Sequence, residues 1–142
     1  MQLTKGADYG ARGAIYLARQ PSEAVVLVSE IAAAEGLPES YLAKILQELT
    51  KEGIVRSHRG AKGGFSLARP AGDISLRQVI EAIEGPIALN RCLAPLEGCE
   101  KISSCSMYPL LREAQKRLLR LLDSATLAEL AHDDQGLLLA HP

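Results

Sequence analysis

Tryptophan is absent, phenylalanine occurs once, and aromatic residues make up only 4% of the 142-residue chain. A core cannot then be built around large rings. Its volume must come from Leu, Ile, Val and Ala, which a 47% hydrophobic content supplies. Long apolar runs are missing too. No window approaches the roughly 18 uninterrupted apolar residues of a membrane helix, so no membrane partner is expected. The first twenty residues carry Asp8 and no apolar stretch of the kind a secretory signal needs. Neither sign of charge dominates, since the net charge is −1, and nothing in that sum points to a polyanion. Catalytic sets are also missing: no nucleophile–base pair, no phosphate-binding loop after a strand, no histidine–carboxylate metal set. The chain is therefore read as a non-enzyme, of a length that suits one domain or one domain plus an arm.

Cysteine is lacking everywhere except one window, which holds Cys92, Cys99 and Cys105. Six residues separate the first pair and five the second. Loop formers surround them, including Asn90, Pro95, Gly98, Ser103 and Ser104. Zinc ribbons and fingers usually want about two to four residues between paired cysteines, which argues against zinc. Iron–sulfur clusters are held by thiolates and tolerate wider spacing. A cubane normally takes four ligands, so the fourth must come from another residue type, another subunit or outside. Two other readings stay open: three inert, packed thiols, or thiols oxidised directly as a switch without any cluster. The expected compartment is a reducing cytoplasm, where clustered thiols more often mean metal or redox chemistry than disulfides.

The hydrophobic rhythm predicts a mainly helical chain. Residues 4–19 read as a helix capped by Thr4, with a stripe of Tyr9, Gly13, Tyr16 and Leu17. Val25–Val28 is a short β-branched run that reads as a strand. A short helix covers 29–35 and stops at Gly36. A second covers 38–52, with Leu42, Ile45, Leu46 and Leu49 on one face. A hairpin follows, from Ile54–Val55 through the Gly60-Ala61-Lys62-Gly63-Gly64 turn to Phe65–Leu67. Pro70 and Gly72 mark a break. Ser75 and Gln78 form a capping box for a helix that ends before Gly85-Pro86. After the cysteine loop a long helix spans about 106–123, with Pro109 in its first turn. Thr126 and Glu129 open a last helix to His132. The chain thus divides into a DNA-binding region, 1–70, and a cysteine-loop and dimerisation region, 71–142.

Two short helices joined through a glycine turn, then a glycine-rich hairpin, describe a winged helix-turn-helix. With its apolar face turned inward, the second helix presents Glu39, Ser40, Ala43, Lys44 and Gln47 outward. Ser40 and Gln47 suit base edges or phosphates, and Lys44 suits phosphate. Charge distribution agrees where net charge does not. Between Arg56 and Arg69 lie four fixed cations, Arg56, Arg59, Lys62 and Arg69, and no acid. Ser57, Arg59 and Lys62 of the wing are assigned to DNA. The long helix carries Leu111, Ala114, Leu118, Leu121 and Ala125 at a/d-like spacing, widened by Leu110, Leu119 and Leu122. So wide an apolar arc exceeds what one small domain covers. Leu111, Ala114, Leu118, Leu121 and Leu122 are therefore expected at a homodimer interface, with two recognition helices about 34 Å apart on a near-palindromic operator.

Leu3-Thr4-Lys5 with Asp8-Tyr9, the run Pro38-Glu39-Ser40-Tyr41-Leu42 and the wing Arg59-Gly60-Ala61-Lys62-Gly63-Gly64-Phe65 together resemble the Rrf-two family of bacterial transcription regulators, of the IscR, NsrR and RirA type. The resemblance runs from residue 1 to about 132. It implies a winged helix-turn-helix with a long dimerisation helix, acting as a repressor. It implies that Ser40, Tyr41 and Arg59 touch DNA. It also implies the cluster-binding branch, with Cys92, Cys99 and Cys105 holding a [4Fe-4S] or [2Fe-2S] cluster that senses nitric oxide, oxygen or iron–sulfur status. Three departures matter. Many members keep five residues in both cysteine gaps, whereas the first gap here has six. Tyr108 stands where IscR-type members have a histidine ligand. Ala43 stands where some members use a glutamate to discriminate operators. Asp8 matches the aspartate that NsrR-type members supply from the partner subunit. Its plainer role is an ion pair with Arg12 one helical turn away.

Overall fold

The computed structural model describes residues 2–95, 98 and 100–132. Among these residues lie six α-helices and one hairpin: α1 (Lys5–Arg19), α2 (Val28–Glu35), α3 (Glu39–Lys51), β1 (Val55–His58), β2 (Gly64–Leu67), α4 (Leu76–Glu84), α5 (Tyr108–Ser124) and α6 (Leu127–His132). The result is mostly helical with one two-stranded antiparallel sheet, the winged-helix class expected. No helix among the described residues is long and apolar enough to cross a membrane.

α1 begins where the Thr4 hydroxyl accepts from the Ala7 amide at 3.1 Å, satisfying one of the unpaired donors at a helix start. Of the expected stripe, Gly13 and Leu17 are buried, but most of the buried face is made of other, smaller residues. Gly6, Ala7, Gly10, Ala11, Gly13, Ala14 and Leu17 are buried, while Tyr9 and Tyr16 are only partly buried against the core. Small side chains let α1 sit close to α3 and α4. A Cβ added at Gly10 would meet the Ile83 side chain and lie 3.1 Å from Ile45 Cγ2. A helix packed this closely ties the N-terminus to α3.

α3 follows its sequence pattern, with Leu42, Ile45, Leu46 and Leu49 all buried. Leu42, Leu46 and Leu49 join Leu17, Ile31, Ile54, Val55 and Phe65 in the main core, together with Ile74, Val79 and Leu127 from later in the chain. Truncating a fully buried Leu such as Leu46 would cost about 2–5 kcal/mol. The hairpin pairs Val55 with Leu67 and His58 with Gly64. The Val25–Val28 run is not a strand. Only Val26 pairs, bridging to Phe65, because α2 already begins at Val28. That bridge carries two 2.8 Å hydrogen bonds, Val26 N–H to the Phe65 carbonyl and Phe65 N–H to the Val26 carbonyl.

The α4 capping box is present. The Gln78 amide donates to Ser75 Oγ at 3.1 Å, and the Ser75 amide donates to Gln78 Oε1 at 3.1 Å. Because Ser75 also bridges to Thr126, this cap fixes where α6 meets α4. Ser75→Ala should lower stability by about 1 kcal/mol. Urea denaturation reads this, and a change below about 0.3 kcal/mol would show that the cap carries none of the joint.

α5 starts at Tyr108, two residues later than its sequence pattern suggests, with Pro109 in its first turn. It has no buried residue. Its inner edge, Leu118, Leu119 and Leu122, packs on a small cluster of Ala7, Ile80 and Ile87. Arg77 fixes it at the far end, donating from Nη1 to Asp123 at 2.7 Å and from Nε to Glu81 at 2.7 Å. Asp123 first, then Glu81, raises the guanidinium's already high pKa, so the tie is permanently charged. The apolar tail 137–139, His141 and Cys99 lie outside the described residues.

Candidate DNA-reading surface and cysteine loop

Burial of the α3 apolar face pushes the opposite face outward. Ser40, Lys44 and Gln47 are exposed, as the sequence pattern requires. Tyr41 is 40% exposed, and its ring meets Tyr9 edge to face, with centroids 5.6 Å apart and planes at 87°. Edge-to-face pairs contribute about 0.5–1.5 kcal/mol beyond burial. Tyr9 therefore orients a side chain at the N-terminal end of the recognition helix. Sequence reading missed this role by treating Tyr9 as a core-stripe residue. Arg59 and Lys62 are exposed around the wing turn, and Ser57 is half-buried on β1.

The cysteine loop is built from both ends. On the α4 side, Glu81 Oε2 accepts from the Ile87 amide at 2.9 Å. On the α5 side, Gln115 Oε1 accepts from the Leu89 amide at 2.9 Å. The loop then makes 3₁₀ turns at Arg91–Leu93 and Ile102–Ser104. Cys92 lies in the first turn, and Cys105 caps the second. Both thiols are half-buried and unbridged. Both line one open cavity of about 640 Å³, together with Gly98, Glu100, Tyr108 and Leu111. Cysteines from the two ends of the loop thus line a common space. Cys99 belongs to the same loop but lies outside the described residues. Among the described residues no group of three Cys, His, Asp or Glu is gathered.

Asp8 does not line this cavity. Its carboxylate accepts from Arg12 Nε at 3.1 Å, with both side chains about half exposed. Exposed pairs of this kind contribute little, typically about 0.3–0.5 kcal/mol in a helix, so Asp8 is held only weakly. Among the residues assigned to a dimer interface, Leu118 and Leu122 are half-buried on the chain's own cluster. Leu121 is 52% exposed, and Ala114 lies on the outer surface. Leu110 is 71% and Met107 60% exposed on the same helix. Glu81, Gln115 and Asp123 were invisible to spacing arguments as anchors, because each reaches a partner that only folding brings near. The Arg77–Glu81 spacing alone was legible.

The fold and sequence match known proteins. A family model described as Rrf2, iron-dependent transcriptional regulator, matches residues 3–133. CymR, the global cysteine regulator of B. subtilis, is 31% identical at a TM-score of 0.74, with 92% of this chain and 96% of that chain covered. IscR of T. potens is 29% identical at a TM-score of 0.76, with 96% and 90% covered. The oxidized form of CymR from S. aureus is 28% identical at a TM-score of 0.73, with 93% and 97% covered. With a recognition helix, a wing and a family match across nearly its whole length, the chain belongs to the Rrf2 family of DNA-binding transcription regulators.

Proposed function

We propose that this regulator is a homodimeric repressor whose operator affinity depends on an iron–sulfur cluster held by Cys92, Cys99 and Cys105. The observation that carries the reading is the shared cavity of Cys92 and Cys105 directly ahead of α5. The donor set fits the group: two unbridged cysteines line one open space, and the third cysteine lies between them in sequence. When bound, a [4Fe-4S] or [2Fe-2S] cluster would supply iron accessible to oxygen or nitric oxide. The partner's Asp8 is the proposed fourth ligand. A carboxylate is a hard donor and a weaker ligand for such iron than thiolate, which suits a position that must yield to a small molecule.

The chain's own residues provide the coupling. Cys92 and Cys105 hold the loop, Gln115 and Glu81 pass its position to α5 and α4, and α1 packs tightly on α4 and α3. Tyr9 then bears on Tyr41. Coupling of this kind typically amounts to about 1–3 kcal/mol. Iron and sulfide analysis of protein isolated without air tests the cofactor: stoichiometric iron supports it, and colourless protein at full yield rejects it.

A second reading is favoured by the half-buried, unbridged thiols and by the likeness to a regulator solved in an oxidized form. In it the same cysteines respond by oxidation, without a cluster. Colourless protein with reversible disulfides would select this reading.

At the DNA surface, Ser40, Tyr41, Lys44, Gln47, Ser57, Arg59 and Lys62 are proposed to contact the operator. Arg59→Ala should weaken binding to specific and random duplexes alike. It should also reduce the slope of log affinity against log salt by about 0.9. An unchanged slope in a fluorescence-anisotropy salt series would remove Arg59 from the phosphate contacts.

The exposed apolar face of α5 supports the dimer. Fully burying a Leu stabilises by about 1.5–3 kcal/mol. Leu121→Asp should therefore raise the dimer dissociation constant about tenfold or more. Sedimentation equilibrium reads this, and a variant as dimeric as wild type would move the interface elsewhere.

A further inference from the structure

The structure assigns a second binding site: the cleft behind the wing takes a small organic anion, one with a carboxylate on a short apolar body. A cavity of about 570 Å³ opens between the end of α1, the 20–24 turn, the hairpin and the 68–71 segment. Small-molecule sites span about 300–1,000 Å³. Leu17 and Leu67 contribute apolar wall. Arg56, His58 and Arg69 line the same space, and Glu23 is the one acid among the described lining residues.

The three basic side chains differ in how they are held. His58 Nε2 is 2.8 Å from Ser66 Oγ, and Ser66 is only 4% exposed, so the imidazole is held by a buried partner. Arg69 is anchored by Gln78 Oε1 at 3.3 Å and by the Asp73 carbonyl at 3.5 Å. Arg56 has no hydrogen-bond or ion-pair partner among the described residues. An uncommitted guanidinium beside a second, anchored guanidinium and a held imidazole, over apolar wall, matches a carboxylate, whose two oxygens accept the fork of an arginine. Strand alternation places Arg56 and His58 on one face of β1 and Ser57 on the other. The anion would therefore sit behind the hairpin rather than at its tip. None of these residues lines the cysteine cavity, so this site and the cluster stand or fall separately.

Titration of the ¹⁵N-labelled full chain at constant ionic strength tests the site, with butyrate, inorganic phosphate and butylamine as probes. Butyrate should produce saturable shifts at Arg56, His58 and Leu67. Phosphate should bind more weakly, and butylamine should leave the cleft unmoved. Arg56→Gln should weaken butyrate about tenfold, the loss expected of a hydrogen bond to a charged group, and Lys62→Gln should not. Butyrate shifts that never saturate, phosphate binding as tightly as butyrate, or an Arg56→Gln variant with unaltered butyrate affinity would each overturn the assignment. So would an Arg56→Gln variant whose operator salt slope falls by about 0.9, because the guanidinium would then serve a DNA phosphate.

Discussion

Replacing Gly64 by alanine is expected to destabilise the protein by about 3 kcal/mol, the sum of backbone strain and two lost hydrogen bonds. Gly64 has φ +146, a conformation that L side chains rarely adopt. A Cβ there would fall on the Val26 carbonyl oxygen and lie 2.7 Å from its carbonyl carbon. Backbone cannot step aside as a flexible side chain can. The Val26–Phe65 bridge, with its two 2.8 Å hydrogen bonds, would have to open. That bridge seats the root of the wing against the segment leading into α2. The melting temperature should fall by roughly 10 °C for a chain of this size, and operator affinity should fall with it as the wing loses its seat. Gly60→Ala is the control. Gly60 also has positive φ, at +98, but nothing lies within 4 Å of its added Cβ, so only a cost of about 1 kcal/mol is expected. Equal melting temperatures for the two variants would show that the bridge does not hold the wing.

The second large effect belongs to the cysteines. Cys105→Ser should abolish stoichiometric iron and lower operator affinity of the anaerobic protein by about 5–150-fold, the usual range for coupled sites. Cys92→Ser should do the same, because both sulfurs line one cavity. Both thiols are only half-buried, and neither belongs to the hydrophobic core. The apo fold should therefore survive, and circular dichroism of the apo variants should match that of apo wild type. A variant that keeps its iron, or loses it without change in operator binding, would separate the cysteines from DNA recognition.

Local rules carried much of the fold. The i, i+3, i+4, i+7 face of Leu42, Ile45, Leu46 and Leu49, the Ser75–Gln78 box and the glycine turn before Phe65 depend only on neighbours in sequence, and each occurs as its pattern implies. The misreadings are tertiary. Val25–Val28 has strand composition, yet only Val26 finds a partner, because pairing depends on where β2 comes to lie. Tyr9 and Tyr16 looked like the inner face of α1. Both pack only partly against the core, because close approach to α3 and α4 buries mainly glycines and alanines, beside Leu17. In the candidate site, the cysteine window was legible from composition and the exposed face of α3 from periodicity. The anchors Gln115, Glu81 and Asp123 were not, because sequence spacing says nothing of contacts made across the fold. The cleft behind the wing was equally hidden, although its cations belong to the acid-free run between Arg56 and Arg69.

The most direct measurement compares operator dissociation constants for one anaerobic preparation before and after iron is removed by chelation, at fixed salt. If cysteine-bound iron governs how the two reading heads meet the duplex, the stripped protein binds about 5–150-fold more weakly, and restoring iron and sulfide restores affinity. Identical constants for the two states, at matched dimer content, would contradict the account.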